Sequence, residues 1–337
     1  MSKNNWYSSK WDNKRARLAD SRRRIRLSGE SSSLEPDQLP SLDVSSESGV
    51  YGRVWEIFSD RTCLVQFKGK SLHLNFEDDI VIGDFVELSP KGSTFSIDSI
   101  VARRSKIVRM RFDATRRSAF GREEHILAAN VDIGCIVASA INPRFSPRLI
   151  DRYLIACQYG GLVPIICITK ADLSSELPQL DDYRKLGIAC FYVNSYDRDS
   201  LQGLIQLLSR KVSVLVGKSG VGKSTLCNTI LGESRQAVGS VSVKGGRGRH
   251  TTSQSRIFET PEGALIIDTP GIRSLGLWDV SKSDLRYYFP EFNAPDMHCR
   301  FRDCMHIVED GCAVKNAVVS GNISEARYES YVRLFSE

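Results

Sequence analysis

Between residues 130 and about 275, near-continuous apolar runs alternate with segments of helical period. The runs are Asp132–Ala138, Val163–Thr169, Ala189–Asn194, Val212–Val216 and Ala264–Ile267, and the helical segments include Pro147–Cys157, Leu201–Ser209 and Gly222–Leu231. Strands that are apolar on both sides need cover on both faces, so this pattern predicts a parallel α/β sheet. Upstream, from about Gly49 to Val101, the runs shorten and alternate: Val50–Ile57, Cys63–Phe67, Ser71–Asn75, Phe85–Leu88 and Phe95–Val101, separated by turns such as Lys68-Gly69-Lys70 and Gly83-Asp84. Five short strands in so little chain predict a small all-β barrel, with an OB-fold ahead of an SH3-like barrel. Downstream, Ser281–Phe292 and Ser324–Phe335 read as helices; in the second, Tyr328, Tyr331, Val332 and Phe335 share one face, a packing stripe.

A chain of 337 residues has room for two or three such units. No uninterrupted apolar run reaches the length of a membrane span, and the N-terminus is polar and basic rather than a signal segment, so a cytoplasmic protein is expected. The formal charge of +6 is modest, but it is unevenly placed. Residues 1 to about 27 carry Lys3, Lys10, Lys14, Arg15, Arg17, Arg22, Arg23, Arg24 and Arg26 against Asp12 and Asp20. That stretch reads as a disordered basic arm for nucleic acid, followed by a Ser-rich linker with Pro36 and Pro40. A second basic segment, Arg103, Arg104, Lys106, Arg109, Arg111, Arg116, Arg117 and Arg122, adjoins the barrel and is expected to track a phosphate backbone.

Chemistry enters with Gly217-Lys218-Ser219-Gly220-Val221-Gly222-Lys223-Ser224, which fits G-x-x-x-x-G-K-[ST]. It follows an apolar strand and leads into the helix former Thr225–Leu231, the context in which backbone N–H groups and a helix N-terminus cradle phosphates. Lys223 is expected to reach the β- and γ-phosphates and Ser224 to ligate Mg²⁺. Asp268-Thr269-Pro270-Gly271 matches the D-x-x-G element of GTPases: Asp268 would hold Mg²⁺ through a water and the Gly271 N–H would sense the γ-phosphate. Between the two lies Lys244-Gly245-Gly246-Arg247-Gly248-Arg249-His250-Thr251-Thr252, suited to a switch segment, in which Thr251 or Thr252 completes the Mg²⁺ shell.

Thr169-Lys170-Ala171-Asp172 resembles the [NT]-K-x-D element that reads guanine. The Asp172 carboxylate can accept from the ring N1–H and the exocyclic amine together, a donor pair that adenine lacks, so adenine is rejected. Lys170 would lay its stem over the base. Thr169 stands where Asn is commoner, which removes an amide tie between base loop and phosphate loop and predicts weaker nucleotide affinity. Asn194-Ser195, at the end of a β-run, is the expected last base-contacting loop. Ile272 follows Gly271 where many GTPases place a water-orienting Gln; catalysis then needs another group or a partner, and His250 is the nearest candidate. The base-reading element precedes the phosphate loop, the reverse of the ordinary order, so the chain looks like a circularly permuted GTPase.

Of nine cysteines, Cys63, Cys135, Cys157, Cys167, Cys190 and Cys227 are isolated, as free buried thiols commonly are. Cys299, Cys304, His306 and Cys312 instead give C-x4-C-x-H-x5-C, a closed tetrahedral set for one structural Zn²⁺, with His298 a bystander. Such a site would hold together a C-terminal region with little core of its own. The resulting domain plan is a basic arm and linker (1–48), an RNA-binding barrel (49–110), the permuted GTPase domain (111–277) and a mainly helical zinc-binding domain (278–337).

The motif order, the R-x-R-H-T-T segment, the D-T-P-G-I run and the Cys/His spacing together resemble the small ribosomal subunit-dependent GTPase A family (RsgA/YjeQ) of bacteria, over about residues 49 to 337. The resemblance implies an N-terminal OB-fold, a permuted GTPase domain and a zinc domain. It also implies a monomeric late factor in maturation of the 30S subunit, which contacts 16S rRNA and is stimulated by the subunit to hydrolyse GTP to GDP. In that family the switch-segment histidine is the proposed catalytic group, which maps onto His250. Two departures stand out, Thr169 for Asn and Ser253 for a frequent third Thr. Two competing classes are a P-loop ATPase or kinase with no ribosomal role, against which Asp172 and the metal cluster argue, and an RNA-binding module with an inactive GTP site, against which Lys223, Ser224 and Asp268 argue.

Overall fold

The structure is a computed structural model and describes residues 50–77, 79–112, 122–232, 255–268 and 280–337. Alternating burial shapes the first strands, β1 (Tyr51–Ile57), β2 (Thr62–Phe67), β3 (Lys70–Asn75), β4 (Phe85–Lys91) and β5 (Thr94–Ile100). All pairings among them are antiparallel: β1 with β2 and β4, β2 with β3, and β4 with β5. Their inward residues Val54, Cys63, Val65, Leu74, Val86 and Leu88, with Ile80 from the connection between β3 and β4, form one apolar core. The five strands coincide with the five alternating runs of the sequence.

The basic segment that follows forms a hairpin. β6 (Lys106–Phe112) and β7 (Arg122–Ala129) pair antiparallel as a separate two-stranded sheet. Arg103 is not available to a phosphate backbone: its Nε and Nη2 donate to the two oxygens of Asp84 at 2.7 and 2.8 Å. Asp84 is fully buried and would be costly to leave unpaired, so this guanidinium belongs to the fold. Arg104 lies 3.7 Å from Asp132.

The main sheet is built from β8 (Ile133–Ser139), α1 (Pro147–Gly160), β9 (Val163–Thr169), α2 (Asp181–Lys185), β10 (Cys190–Tyr192), α3 (Gln202–Leu208), β11 (Val212–Val216), α4 (Lys223–Leu231), β12 (Ser255–Glu259) and β13 (Leu265–Asp268). Spatial order is β10-β9-β8-β11-β13-β12, parallel up to β13, with β12 antiparallel to β13. The period of two decides the faces. Ile136, Ile166, Ile168 and Val214 pack with α1 residues such as Tyr153 and Leu154. Cys135, Val137, Ile165 and Cys167 pack with Leu204 and Leu208 of α3 and Leu226 and Ile230 of α4. The chain steps outward from β8 to β10, then crosses back to lay β11 on the other side of β8, so the loops at the carboxyl ends of β8, β9 and β11 open a crevice there. β12, which no sequence run announced, also pairs with β1 through Glu56↔Arg256 and Ile57↔Ser255, joining the N-terminal strands to the main sheet.

At the C-terminus the single helix expected over Ser281–Phe292 is broken. Ser281 accepts from the Asp284 N–H to start α5 (Lys282–Leu285), but Pro290 brings no N–H and only tight turns continue to Phe292. Three more helices follow, α6 (Asn293–Asp296), α7 (Ala313–Val319) and α8 (Glu325–Ser336). The expectation of little core is also corrected: Phe289, Phe292 and Tyr331 are fully buried, ring against ring at 5.0–5.3 Å, among Leu285, Val314, Ile323 and Leu334. Ile155 of α1 completes that cluster. Among the described residues no helix is long and apolar enough to cross a membrane.

Arg327 of α8 fastens this region to α1. It is buried, pairs with Asp151 of α1, donates from Nε to Glu291 at 2.7 Å, and stacks over Phe289 at 4.6 Å. Burial alone would lower its guanidinium, but Glu291 and Asp151 more than offset that and hold it above its ordinary value. Arg327→Leu strips both carboxylates of their partner and is expected to cost about 3–5 kcal/mol. Urea denaturation followed by circular dichroism checks this; a loss below about 1 kcal/mol would show that Arg327 does not hold the joint.

Candidate functional site

The phosphate loop begins where β11 ends, and two glycines there have no substitute. A side chain on Gly217 would bring its Cβ within 2.1 Å of the Val137 carbonyl oxygen on the neighbouring strand. Gly222 has φ +94° and lies against the hydroxyls of Thr169 and Ser195, 3.5 and 3.8 Å from where a Cβ would stand. The loop therefore lies close on β8 while Lys218, Ser219 and Gly220 remain exposed. Lys223, the first residue of α4, folds its ammonium over the loop and donates to the Gly217 and Lys218 carbonyls at 2.7 and 2.6 Å. Val221 is buried below, Ser224 is exposed and Thr225 follows in the first turn of the helix.

The base-reading element meets this loop directly. Thr169 ends β9 fully buried, and its hydroxyl lies 2.5 Å from the Val221 carbonyl oxygen and 3.1 Å from that of Ala138. The expectation that Thr169 breaks the tie between base loop and phosphate loop is therefore corrected. A threonine hydroxyl at the end of β9 is near enough to bond the loop, so no longer amide is needed. Lys170, at φ +56°, spans outward to donate to the Gly220 carbonyl at 3.0 Å and to that of Asn142. Ala171 and Asp172 begin a short 3-10 turn, and the Asp172 side chain is exposed. Ser195, in the loop after β10, is buried, and its hydroxyl, facing Gly222, has no hydrogen-bond partner among the described residues. Asp268 ends β13 and is exposed. Gly271, Thr251, Thr252, His250 and Ile272 lie outside the described residues.

The second cluster lies in the C-terminal region. One potential ligand atom from each of Cys299, Cys304, His306 and Cys312 falls within 4.8 Å of the others. His306 Nδ1 is 3.4 Å from Cys312 Sγ and 3.7 Å from Cys299 Sγ. The other ring nitrogen, Nε2, is buried without a hydrogen bond among the described residues and faces Asp296 Oδ1 at 3.3 Å, a carboxylate placed behind the imidazole as at ligating histidines. Burial lowers the His306 pKa, favouring the neutral imidazole a metal needs, and pushes the Cys304 thiol up to about 12, so a metal bound there must displace protons. Tyr328 and Tyr331 donate to the His306 and Met305 carbonyls, both at 2.6 Å, so the stripe read as packing also pins the ligand loop. Exposed His298 stands outside the cluster.

Residues 100–278 match the RsgA GTPase family. The small ribosomal subunit biogenesis GTPase RsgA of Chlorobaculum tepidum is 38% identical over 263 residues, 76% of this chain and 84% of that protein. Its namesake in Haemophilus influenzae is 39% identical over 214 residues, 62% of each chain. The chain belongs to the RsgA GTPase family. Two solved structures agree in fold: YjeQ from Thermotoga maritima, with a TM-score of 0.65 at 27% identity over 85% of this chain and 97% of that one, and YloQ, a circularly permuted GTPase, with the same score and identity over 86% and 94%.

As an RsgA GTPase the chain is a GTP hydrolase, and the crevice at the carboxyl ends of β8, β9 and β11 is where its motif residues converge. Sequence reading missed the loop after β8. Asn142 accepts from Lys170, and Pro143 reaches 3.9 Å from the Cβ position of Gly220, while Ser139 holds the Pro143 carbonyl at 2.8 Å. The Asn142-Pro143 dipeptide right after an apolar run was the available signal. With the Thr169 hydroxyl as the tie, Thr169→Val should weaken GTP affinity roughly tenfold, as expected for removing one buried hydrogen bond of about 1–1.5 kcal/mol. Equilibrium titration with a fluorescent GTP analogue measures it; wild-type affinity in the variant would mean the hydroxyl carries no load.

Proposed function

We propose that this RsgA GTPase acts in biogenesis of the small ribosomal subunit, binding the 30S particle through its 16S rRNA and hydrolysing GTP under the subunit's stimulation. The observation that carries this reading is the joining of a guanine-reading loop and a phosphate loop through Thr169 and Lys170, in a chain alike over most of its length to RsgA proteins named for that role. The domain plan supports it: residues 49–110 as an OB-fold barrel for RNA, 111–277 as the GTPase domain and 278–337 as a zinc-bearing domain. The basic arm at residues 1–48, which would add salt-sensitive affinity for rRNA, lies outside the described residues.

In this reading Asp172 selects guanine, Ser195 closes the base pocket with its buried hydroxyl, and the backbone of Gly217–Thr225 with Lys223 grips the phosphates. Ser224, in the first turn of α4, and Asp268, at the end of β13, would hold an Mg²⁺ ion with Thr251 or Thr252, and the ion would neutralise charge on the β- and γ-phosphates. The Gly271 N–H senses the γ-phosphate. His250 orients the attacking water, since Ile272 offers no polar group for it. Cys299, Cys304, His306 and Cys312 hold a structural Zn²⁺: three thiolates and one imidazole leave no open position, and Asp296 backs the imidazole. The chain acts as a monomer in the cytoplasm.

Two experiments test the reading. Lys223→Ala should abolish turnover, and Asp172→Asn should shift preference from guanosine to xanthosine triphosphate, because the amide offers the base a donor where the carboxylate accepts. Steady-state hydrolysis with and without 30S subunits measures both; an Asp172→Asn variant that kept GTP and ignored xanthosine triphosphate would refute the base assignment, and subunit-insensitive turnover in the wild type would refute the ribosomal role.

For the metal, elemental analysis should find one zinc per chain, lost in His306→Ala. Zinc in small finger peptides contributes roughly 10–16 kcal/mol of apparent binding energy, so the variant's C-terminal region should open to protease. Zinc-free protein prepared without chelator would sink the assignment.

A further inference from the structure

The loop Asn194–Ser200 is joined to α4 at a second place, far from the phosphate motif, by residues that no nucleotide motif includes. Arg198 Nη1 donates to the Thr229 and Ile230 carbonyls at 2.6 and 3.1 Å, satisfying acceptors that the C-terminal end of α4 cannot bond internally. Its Nη2 donates to Glu262 at 2.5 Å, on the turn between β12 and β13. Thr229, on α4 itself, donates from its hydroxyl to the Ser195 carbonyl at 2.5 Å. The loop is stiff on its own account: the Ser200 hydroxyl bonds Asn194 and Asp197, and Tyr196 N–H bonds the Asn194 side chain at 3.0 Å.

We propose that Arg198 and Thr229 are positioning residues for the nucleotide, a latch that fixes the base-contacting loop to the helix whose N-terminus grips the phosphates. This rests on the GTP-binding reading above. One ligand spans both places, and its two binding contributions add only when the spacing between them is set beforehand. A loop free to drift would have to be ordered at the moment of binding, which lowers affinity without touching any ligand contact. Thr169 ties the first base loop to the N-terminal side of α4, and the latch ties the second loop to its last turn. The two ties together hold both base loops against one rigid helix.

The consequence separates the latch from a general role in stability. Arg198→Ala and Thr229→Val should each weaken GTP and GDP binding together, by roughly tenfold or more. Binding of magnesium tripolyphosphate, which occupies the phosphate loop alone, should be unchanged. Thr229→Ser keeps the hydroxyl and should bind GTP as the wild type does. Calorimetric titration of all four full-length proteins with GTP, GDP, ATP and tripolyphosphate makes the test, with thermal melting run alongside. Undiminished GTP affinity in both Arg198→Ala and Thr229→Val would overturn the proposal, and so would an equal loss for GTP and tripolyphosphate, which marks damage to α4 itself. Wild-type protein that bound ATP as well as GTP would instead overturn the base-reading assignment on which the latch depends.

Discussion

A guanine nucleotide is longer than any one loop can hold, so its two ends must be gripped by loops that leave the same edge of one sheet at a fixed spacing. In this chain the whole arrangement hangs on contact between the end of β9 and the phosphate loop. Thr169 bonds the carbonyl of Val221, Lys170 bonds that of Gly220, and Gly222, at φ +94°, takes the left-handed turn that brings the loop beside Thr169 and Ser195. Parallel pairing makes this possible, because β8 between β9 and β11 sends all three carboxyl ends to one side. Circular permutation leaves that constraint untouched. It changes which loop is covalently first, not which loops meet.

Much of the fold was legible because its signals are local. The five barrel runs, the apolar strands β8 to β11 and the helices α1 and α4 each carry a periodicity that few other local arrangements satisfy. β12 was not legible: Ser255–Glu259 has a single fully buried side chain, Ile257, and becomes a strand only by pairing with β13 and β1. The hairpin of β6 and β7 falls in the arginine-dense run, where a hairpin was one reading the sequence allowed. Its neighbour Arg103 turned inward because Asp84, far along the chain, is buried and needs a counter-charge. Such pairings are decided by tertiary context, which a local pattern does not encode.

The site divides along the same line. The G-x-x-x-x-G-K-S, T-K-A-D and Cys/His motifs stood out because each sets particular residue types at fixed spacing, and the fold brings the first two against each other and the four Cys/His residues together. What surrounds them did not. Asp296 behind His306, the tyrosine hydroxyls on the ligand loop, and Asn142 beneath Lys170 are residues of ordinary type whose roles come from being brought close. Thr169 is the instructive case. Judged by type it is a weakened asparagine, whereas in place its shorter side chain already meets the carbonyl to be bonded.

Permutation has one further physical consequence, which concerns the C-terminal region. The chain leaves β13 at Asp268 and enters α5 at Lys282, so the segment that carries the D-x-x-G motif leads into the unit that holds the Cys/His cluster. A push along that segment is not free to move the unit alone. Ile155 and Asp151 of α1 are built into its core and its buried ion pair, and Arg327 would leave two carboxylates behind if the joint opened. Breaking such a pair costs several kcal/mol, comparable with the whole coupling energy between typical allosteric sites. α1 and the C-terminal unit are therefore fastened as parts of the same body. Because α1 follows directly on the loop that holds Lys170 through Asn142, the base end of the site is mechanically continuous with the C-terminal unit, just as the phosphate end is covalently continuous with it.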